Sequence, residues 1–198
     1  MQLSPQLLLS AYAQGIFPMA DADGTIGWYE PQIRAVIPLD ERFHIPRRLA
    51  RTLRKAPFEV RVNTAFSAVM AACAAVHGDR PSTWISAEMI AAYTQLHRLG
   101  HAHSVECWRD GELVGGLYGV SLGGLFAGES MFSRVRDASK VALVHLVERL
   151  RAGGFVLLDS QYIVGPHMLQ FGTEEISRQE YHRRLRAALQ VEGRFSSQ

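Results

Sequence analysis

Two acidic residues in this chain stand where an acid is costly. Glu129 sits inside Leu125-Phe126-Ala127-Gly128-Glu129-Ser130-Met131-Phe132-Ser133-Arg134, which reads as the end of a buried strand. A carboxylate among Phe126, Met131 and Phe132 must be paired structurally or held for chemistry, and for a carboxylate that chemistry is proton transfer or the holding of a cation. Asp159 follows a second strand-like run, Phe155-Val156-Leu157-Leu158, and Gln161 lies two positions on. The two strand ends are expected side by side.

The elements that must position these residues follow from punctuation and periodicity. Ser4-Pro5 starts a helix and Gly15 stops it. Pro18, Pro31 and Pro38 then exclude long regular elements, so residues 1–40 read as a small N-terminal subdomain. Residues 41–57 read as a basic connecting helix, and 58–198 as the main domain. Phe58-Val60-Val62 alternates as a strand, and Asn63 is expected to cap a helix carrying Phe66, Val69, Met70, Cys73 and Val76. His77 to Pro81 reads as a loop. Ser86 caps a second helix that runs to Gly100. Ser104–Arg109 and Glu112–Val120 form a hairpin across Asp110-Gly111, and Gly123-Gly124 turns into the strand ending at Glu129. Ala138–Arg151 is helical up to Gly153-Gly154, the strand to Asp159 follows, and Met168-Leu169 starts a short helical piece. Ser177 and Glu180 form a capping box for the last helix. Three strands joined by tight turns are antiparallel neighbours, and a strand–helix–strand step makes a parallel pair. The expected fold is α+β, one mixed sheet with helices on both faces, in the element order of the N-acetyltransferases.

A chain of 198 residues, 47% of them hydrophobic, is ample for one core plus a small appended unit. The formal net charge of +2 supports no whole-protein argument for nucleic acid, so any such argument must be local. Locally, residues 42–61 hold Arg42, Arg47, Arg48, Arg51, Arg54, Lys55 and Arg61 against the single acid Glu59. With Leu49 and Leu53 facing inward, Arg47, Arg51, Arg54 and Lys55 line an outward face. Charge alone does not choose between a solvated face and a phosphate-binding ridge. Cys73 and Cys107, far apart, suggest a reducing compartment. Without a leader pattern or an apolar run of membrane length, a cytoplasmic protein away from the membrane is expected.

Several chemistries are set aside. There is no GxxxxGK[ST] loop to hold a nucleotide, and a hydrolase nucleophile elbow is not expected. His97, His101 and His103 straddle a helix end without a fitting Cys or acidic cluster, so capping or core hydrogen bonding is expected of them and no metal site. Cys107 lies mid-strand, a poor place for a thiolate. The fold order suggests acetyl-coenzyme A, but no [QR]xxGx[GA] pyrophosphate loop occurs, and Glu129 would repel a pyrophosphate. The acyl donor is therefore not expected to be a coenzyme A thioester, and no cofactor is expected.

Seven collinear segments carry a closer resemblance: Gly15-Ile16-Phe17-Pro18, Pro31 to Val36, Thr83-Trp84-Ile85, Leu99 to Glu106, Leu113 to Gly119, Gly128 to Ser133 and Leu158-Asp159-Ser160-Gln161. Together they resemble the leucyl/phenylalanyl-tRNA–protein transferases from about residue 3 to 190. The resemblance implies transfer of Leu or Phe, with Met a further candidate, from charged tRNA to the N-terminal amine of a protein beginning with Arg or Lys, marking it for the N-degron pathway. The donor ester is already activated, so no ATP site is needed. The resemblance gives Asp159 and Gln161 catalytic roles and Glu129 a role in substrate binding and electrostatics. The two carboxylates meet the cationic acceptor and its amine, and Gln161 hydrogen-bonds the amine or an oxyanion. The aminoacyl pocket falls on Leu117, Phe126, Leu143, Leu146, Leu150 and Leu158. Trp84 is a platform for the terminal adenine, and Met19 stands where the family can carry a second tryptophan. The need for tRNA contacts favours Arg47, Arg51, Arg54 and Lys55 as phosphate ligands. A monomer is expected. The rival readings are an acetyl-coenzyme A-dependent N-acetyltransferase and a non-catalytic tRNA-binding module.

Overall fold

Local signals start most of the elements. The computed structural model describes residues 3–76, 82–163, 165 and 168–196; the loop expected at His77 to Pro81 lies outside the described residues. Ser4 accepts a hydrogen bond from the Leu7 N–H, and Pro5 opens α1 (Pro5–Ala13), after which Gly15 turns the chain at φ +78°. A small antiparallel hairpin follows, β1 (Phe17–Ala20) with β2 (Ile26–Tyr29). Next come β3 (Ile33–Ile37), α2 (Arg47–Lys55), β4 (Glu59–Val62), α3 (Phe66–Ala74) and α4 (Ala87–Arg98). The chain continues through β5 (Ala102–Arg109), β6 (Glu112–Leu122), β7 (Leu125–Ser133), α5 (Ala138–Ala152) and β8 (Leu157–Gln161). It ends with a 3-10 turn at Leu169–Phe171, β9 (Glu174–Ser177) and α6 (Arg178–Ala188). Asp110 and Gly111, both at positive φ, make the tight β5–β6 turn. Ser86 caps α4 and Ser177 caps α6, but the Glu180 carboxylate turns to Arg183 and Arg184 rather than back to the cap.

The large sheet has the order β4-β5-β6-β7-β8-β3-β9. Only β7 and β8 pair in parallel, joined through α5; the other described pairs are antiparallel. This is an α+β fold with a mixed sheet. Adjacent residues point to opposite faces. Leu117, Phe126 and Leu158 pack with α5 and α2. Their neighbours Tyr118 and Ala127 pack with α1, α3 and α4, and Leu157 packs with α6. Helices therefore cover both faces. Gly115 lets α5 start against β6: a Cβ there would lie 2.4 Å from the Ala138 Cβ.

The structure departs from the sequence reading elsewhere too: α3 ends at Ala74, which leaves Val76 exposed beyond the helix. β3, counted above with residues 1–40, is an inner strand of the large sheet between β8 and β9, with Ala35, Val36 and Ile37 buried. β7 does not end at Glu129 but runs on to Ser133. β8 starts at Leu157, later than the apolar run suggested, and reaches Gln161. Asn63 does not cap α3. It sits at φ +59° and its side-chain oxygen accepts the Ser104 N–H. The buried Glu106 carboxylate takes over by accepting the Thr64 and Ala65 N–H groups. No described helix is long and apolar enough to cross a membrane.

Candidate active site

Two β-bulges build the site. On β7, Tyr118 of β6 faces Ser130 and Gly119 faces Gly128, so Glu129 has no opposite residue. On β8, Val36 of β3 faces Asp159 and Ala35 faces Gln161, so Ser160 is the extra residue. Bulges bend a strand and re-aim its side chains. The parallel β7–β8 ladder ends at Ala127↔Asp159, just where the two bulges begin. A cavity of about 430 Å³ lies there, with Leu117, Leu143, Leu146, Leu158, Ile37 and Met168 in its wall and Glu129, Asp159, Ser160 and Trp84 around it.

Glu129 is 8% exposed. Its Oε1 accepts the Tyr12 hydroxyl at 2.6 Å and the Gln161 Nε2 at 2.9 Å. Tyr12 in turn lies 2.5 Å from the Tyr93 hydroxyl. Oε2 is buried and has no hydrogen-bond partner among the described residues. Burial pushes the Glu129 carboxyl up to about 7 despite the pull of Tyr12 and Gln161. The same burial, reinforced by Glu129, raises Tyr12 and Tyr93 well above the usual tyrosine value.

Asp159 is buried and already satisfied. Arg34 reaches it from Nε at 3.0 Å and from Nη2 at 2.6 Å. The Tyr181 hydroxyl donates at 2.8 Å and the Gln161 backbone N–H at 2.8 Å. The Arg34 guanidinium lies over the Phe17 and Tyr181 rings, and its Nη1 donates to the Gly15 carbonyl. Burial works against the Arg34 charge, but the neighbouring Asp159 carboxylate more than offsets this, and the Arg34 pKa lies above its ordinary value. The expectation that Asp159 meets the acceptor's cation therefore does not fit, because its oxygens are filled by a cation of the protein itself. Asp159 and Glu129 do converge, through Gln161. That residue sits at φ +61°, its backbone N–H on one carboxylate and its side-chain NH₂ on the other.

Of the expected pocket residues, Leu117, Leu143, Leu146 and Leu158 line the cavity. Phe126 and Leu150 belong to the core behind it, Phe126 stacked on Phe195 at 5.6 Å. Trp84 lines the cavity; Met19 is half-buried on β1 and is not part of the wall. On α2, Leu49 is buried and Thr52 donates to Asp137. Arg47, Arg51, Arg54 and Lys55 are exposed and form no ion pair among the described residues.

Sequence reasoning missed Arg34, Tyr12, Tyr93 and Tyr181. The signal for Arg34 was the one used for Glu129, a charge beside an apolar strand run, Ala35-Val36-Ile37. Tyr12 and Tyr93 lie on the apolar stripes of α1 and α4, where nothing local marks a hydroxyl as a ligand of Glu129. The chain also carries a G-x-S-x-G string, Gly119-Val120-Ser121-Leu122-Gly123. It runs along β6 into a strand–strand turn, not from a strand into a helix. Ser121 does lie 3.1 Å from the His103 Nε2. The Asn63 side chain, with its oxygen on the Ser104 N–H, presents its NH₂ to His103 Nδ1 at 3.1 Å. His103 Nε2 therefore carries the proton and donates to Ser121, the wrong polarity for a base. Burial also depresses the His103 pKa to about 4. His97 bonds the Ala102 carbonyl and stacks on Phe66. The described residues hold no cluster of three or more metal-ligating side chains. Burial raises the Cys107 thiol to about 12, so it is no thiolate.

An apolar pocket stands beside a hydrogen-bonded amide and a carboxylate oxygen that is unshared among the described residues, an arrangement open to a ligand that brings a donor. Comparison with known proteins identifies the family. Residues 36–186 match the family model described as leucyl/phenylalanyl-tRNA protein transferase, and residues 1–32 match its N-terminal domain. A leucyl/phenylalanyl-tRNA–protein transferase of Herpetosiphon aurantiacus is 62% identical over 194 residues, 98% of each chain. Proteins of the same description from Phenylobacterium zucineum (60%, covering 95% of this chain and 85% of the relative) and Gloeobacter violaceus (58%, covering 98% and 97%) are similarly close. The chain belongs to the leucyl/phenylalanyl-tRNA–protein transferase family and is an aminoacyltransferase. A solved structure described as that of L-PGS from Bacillus licheniformis aligns with a TM-score of only 0.41 at 13% identity, over 83% of this chain and 53% of its own, and bears no argument.

Proposed function

We propose that the enzyme moves Leu or Phe from charged tRNA to the N-terminal amine of proteins that begin with Arg or Lys. It works as a cytoplasmic monomer on an N-acetyltransferase-like sheet, without a cofactor, and marks its products for the N-degron pathway. The observation that carries this reading is the unshared Glu129 Oε2 buried beside an apolar pocket. A buried acceptor without a donor is costly, and an incoming cation satisfies it.

The geometry supports the following roles. Leu117, Leu143, Leu146 and Leu158 surround the aminoacyl side chain. Shape alone discriminates there by roughly 1–3 kcal/mol per methylene-sized difference. Glu129 holds the acceptor's cationic end. Gln161 donates its NH₂ to Glu129, which leaves its carbonyl oxygen to accept an N–H of the attacking amine and aim the nitrogen lone pair. The nitrogen bonds to the ester carbonyl carbon, the carbon–oxygen bond to the ribose breaks, and the proton lost by the amine ends on the freed ribose hydroxyl. Asp159 acts through Gln161, locking its backbone turn, and does not touch the substrate. The exposed cations of α2 contact tRNA phosphates.

The test is a transfer assay. Leucyl-tRNA is mixed with a protein starting in Arg, and the new N-terminus is read by mass spectrometry. One added leucine is expected. No addition, with both substrates shown to be active, rejects the function.

A further inference from the structure

We propose that Tyr162 is the second aromatic face for the donor's terminal adenine, sharing with Trp84 the role that sequence assigned to Met19. The proposal rests on the transferase reading above. Among the described residues, three aromatic side chains line the cavity: Trp84, Tyr118 and Tyr162. Tyr118 is fully buried, its ring set edge-on to Phe66 and Tyr93. Trp84 is half-buried and Tyr162 is 40% exposed, so these two can offer a surface to a ligand. Met19 is not in the cavity wall.

The backbone explains how Tyr162 comes to the rim. Ser160 is the bulged residue of β8, Gln161 turns left-handed at φ +61°, and the Tyr162 N–H folds back onto the Ser160 carbonyl at 2.7 Å. The turn lets the Gln161 side chain reach Glu129 and brings the next side chain, Tyr162, to the cavity wall. Phe17 then holds the Tyr162 ring edge-on, with centroids 5.8 Å apart, and Phe17 itself stacks on Tyr29. A ring fixed along one edge and partly open to solvent is pre-organised for stacking, whereas a core residue would be covered. Trp84 is tied to the same hairpin, because its carbonyl accepts the Ala20 N–H. Phe17 and Ala20 are the two ends of β1, roughly 10 Å apart at the usual strand rise. One short strand therefore anchors both aromatic residues.

The chemistry selects a nucleobase. An aminoacyl ester carries its base one ribose away from the reacting carbonyl. Tyr162 adjoins Gln161 in the chain, so a base on its ring keeps the ester within reach of the amide. Stacking needs only a π-face and no hydrogen-bonding edge, which suits a partly exposed tyrosine ring.

The test measures calorimetric binding of two probes, a non-hydrolysable leucyl-adenosine amide and leucinamide, which lacks the nucleoside. Tyr162→Ala and Tyr162→Leu are expected to weaken leucyl-adenosine binding by roughly 5- to 150-fold, the range for loss of one base-stacking partner. Tyr162→Phe should bind as the wild type does, and leucinamide should not distinguish any of the four proteins. Wild-type affinity of Tyr162→Ala for leucyl-adenosine overturns the proposal. So does a parallel loss of leucinamide binding, which marks a collapsed pocket. Failure of the wild-type protein to bind leucyl-adenosine rejects the transferase reading itself, and the platform with it.

Discussion

Replacing Glu129 by Gln keeps the shape of the side chain and removes its charge. The structure sets two consequences with opposite pH dependence. The first is on stability. The carboxyl is raised from 4.5 to about 7 by burial. At 1.36 kcal/mol per pH unit this corresponds to about 3 kcal/mol. A raised carboxylate pKa means that the folded state keeps the proton longer than the unfolded state does. The group's contribution is therefore fully present below pH 4.5 and is lost as pH rises towards 7. Glu129→Gln has no such loss, because its oxygen still accepts from Tyr12 and Gln161 at every pH. Urea unfolding at pH 5 and pH 8 should show the variant gaining on the wild type by up to about 3 kcal/mol over that interval. The second consequence is on function. In the proposed role of Glu129 only the ionised carboxylate would pair with the acceptor's cation, so the wild-type KM for an Arg-starting peptide should fall as pH rises through about 7. The variant should show a high, pH-independent KM with a smaller change in kcat. Equal pH slopes of stability in the two proteins would refute the burial argument. A fall in kcat with KM unchanged would make Glu129 a base instead of a binding group.

Further predictions follow from the same geometry. Arg34→Met should cost roughly 3–5 kcal/mol of stability in denaturant titration by leaving Asp159 buried and unpaired, and pairing it with Asp159→Leu should recover much of the loss. For the same reason Asp159→Ala strands Arg34 and should lower the unfolding midpoint as well as activity. Replacing Arg47, Arg51 and Arg54 together by Gln should weaken tRNA binding and flatten the plot of log K against log salt by about 2 to 3; an unchanged slope removes α2 from the tRNA interface. Leu146→Ala enlarges the pocket wall and should move the preference from Leu towards Phe by roughly 1–3 kcal/mol in competition assays.

Local chemistry was readable along the chain. Capping hydroxyls at Ser4, Ser86 and Ser177, the Asp110-Gly111 turn and the apolar periodicities needed only neighbouring residues, and most elements lie where these signals put them. The high cost of an acid in an apolar strand marked Glu129 and Asp159 before any contact was known, and the collinear motifs carried the family. Tertiary structure decided what each acid does. Arg34 lies 125 residues from Asp159 and Tyr12 lies 117 from Glu129, so no local pattern says which carboxylate is already paired. The bulges that aim Glu129 and Gln161 exist only in the register between strands, a relation absent from any single stretch of chain. Phe126 and Leu150 show the same limit: side-chain type marks them as apolar, but only packing separates a cavity wall from the core behind it. Sequence thus determined that an unusual acid stands in each of two apolar strands, because burying charge is costly wherever it occurs. The fold alone left Asp159 satisfied and Glu129 open, because satisfaction depends on which distant donor arrives.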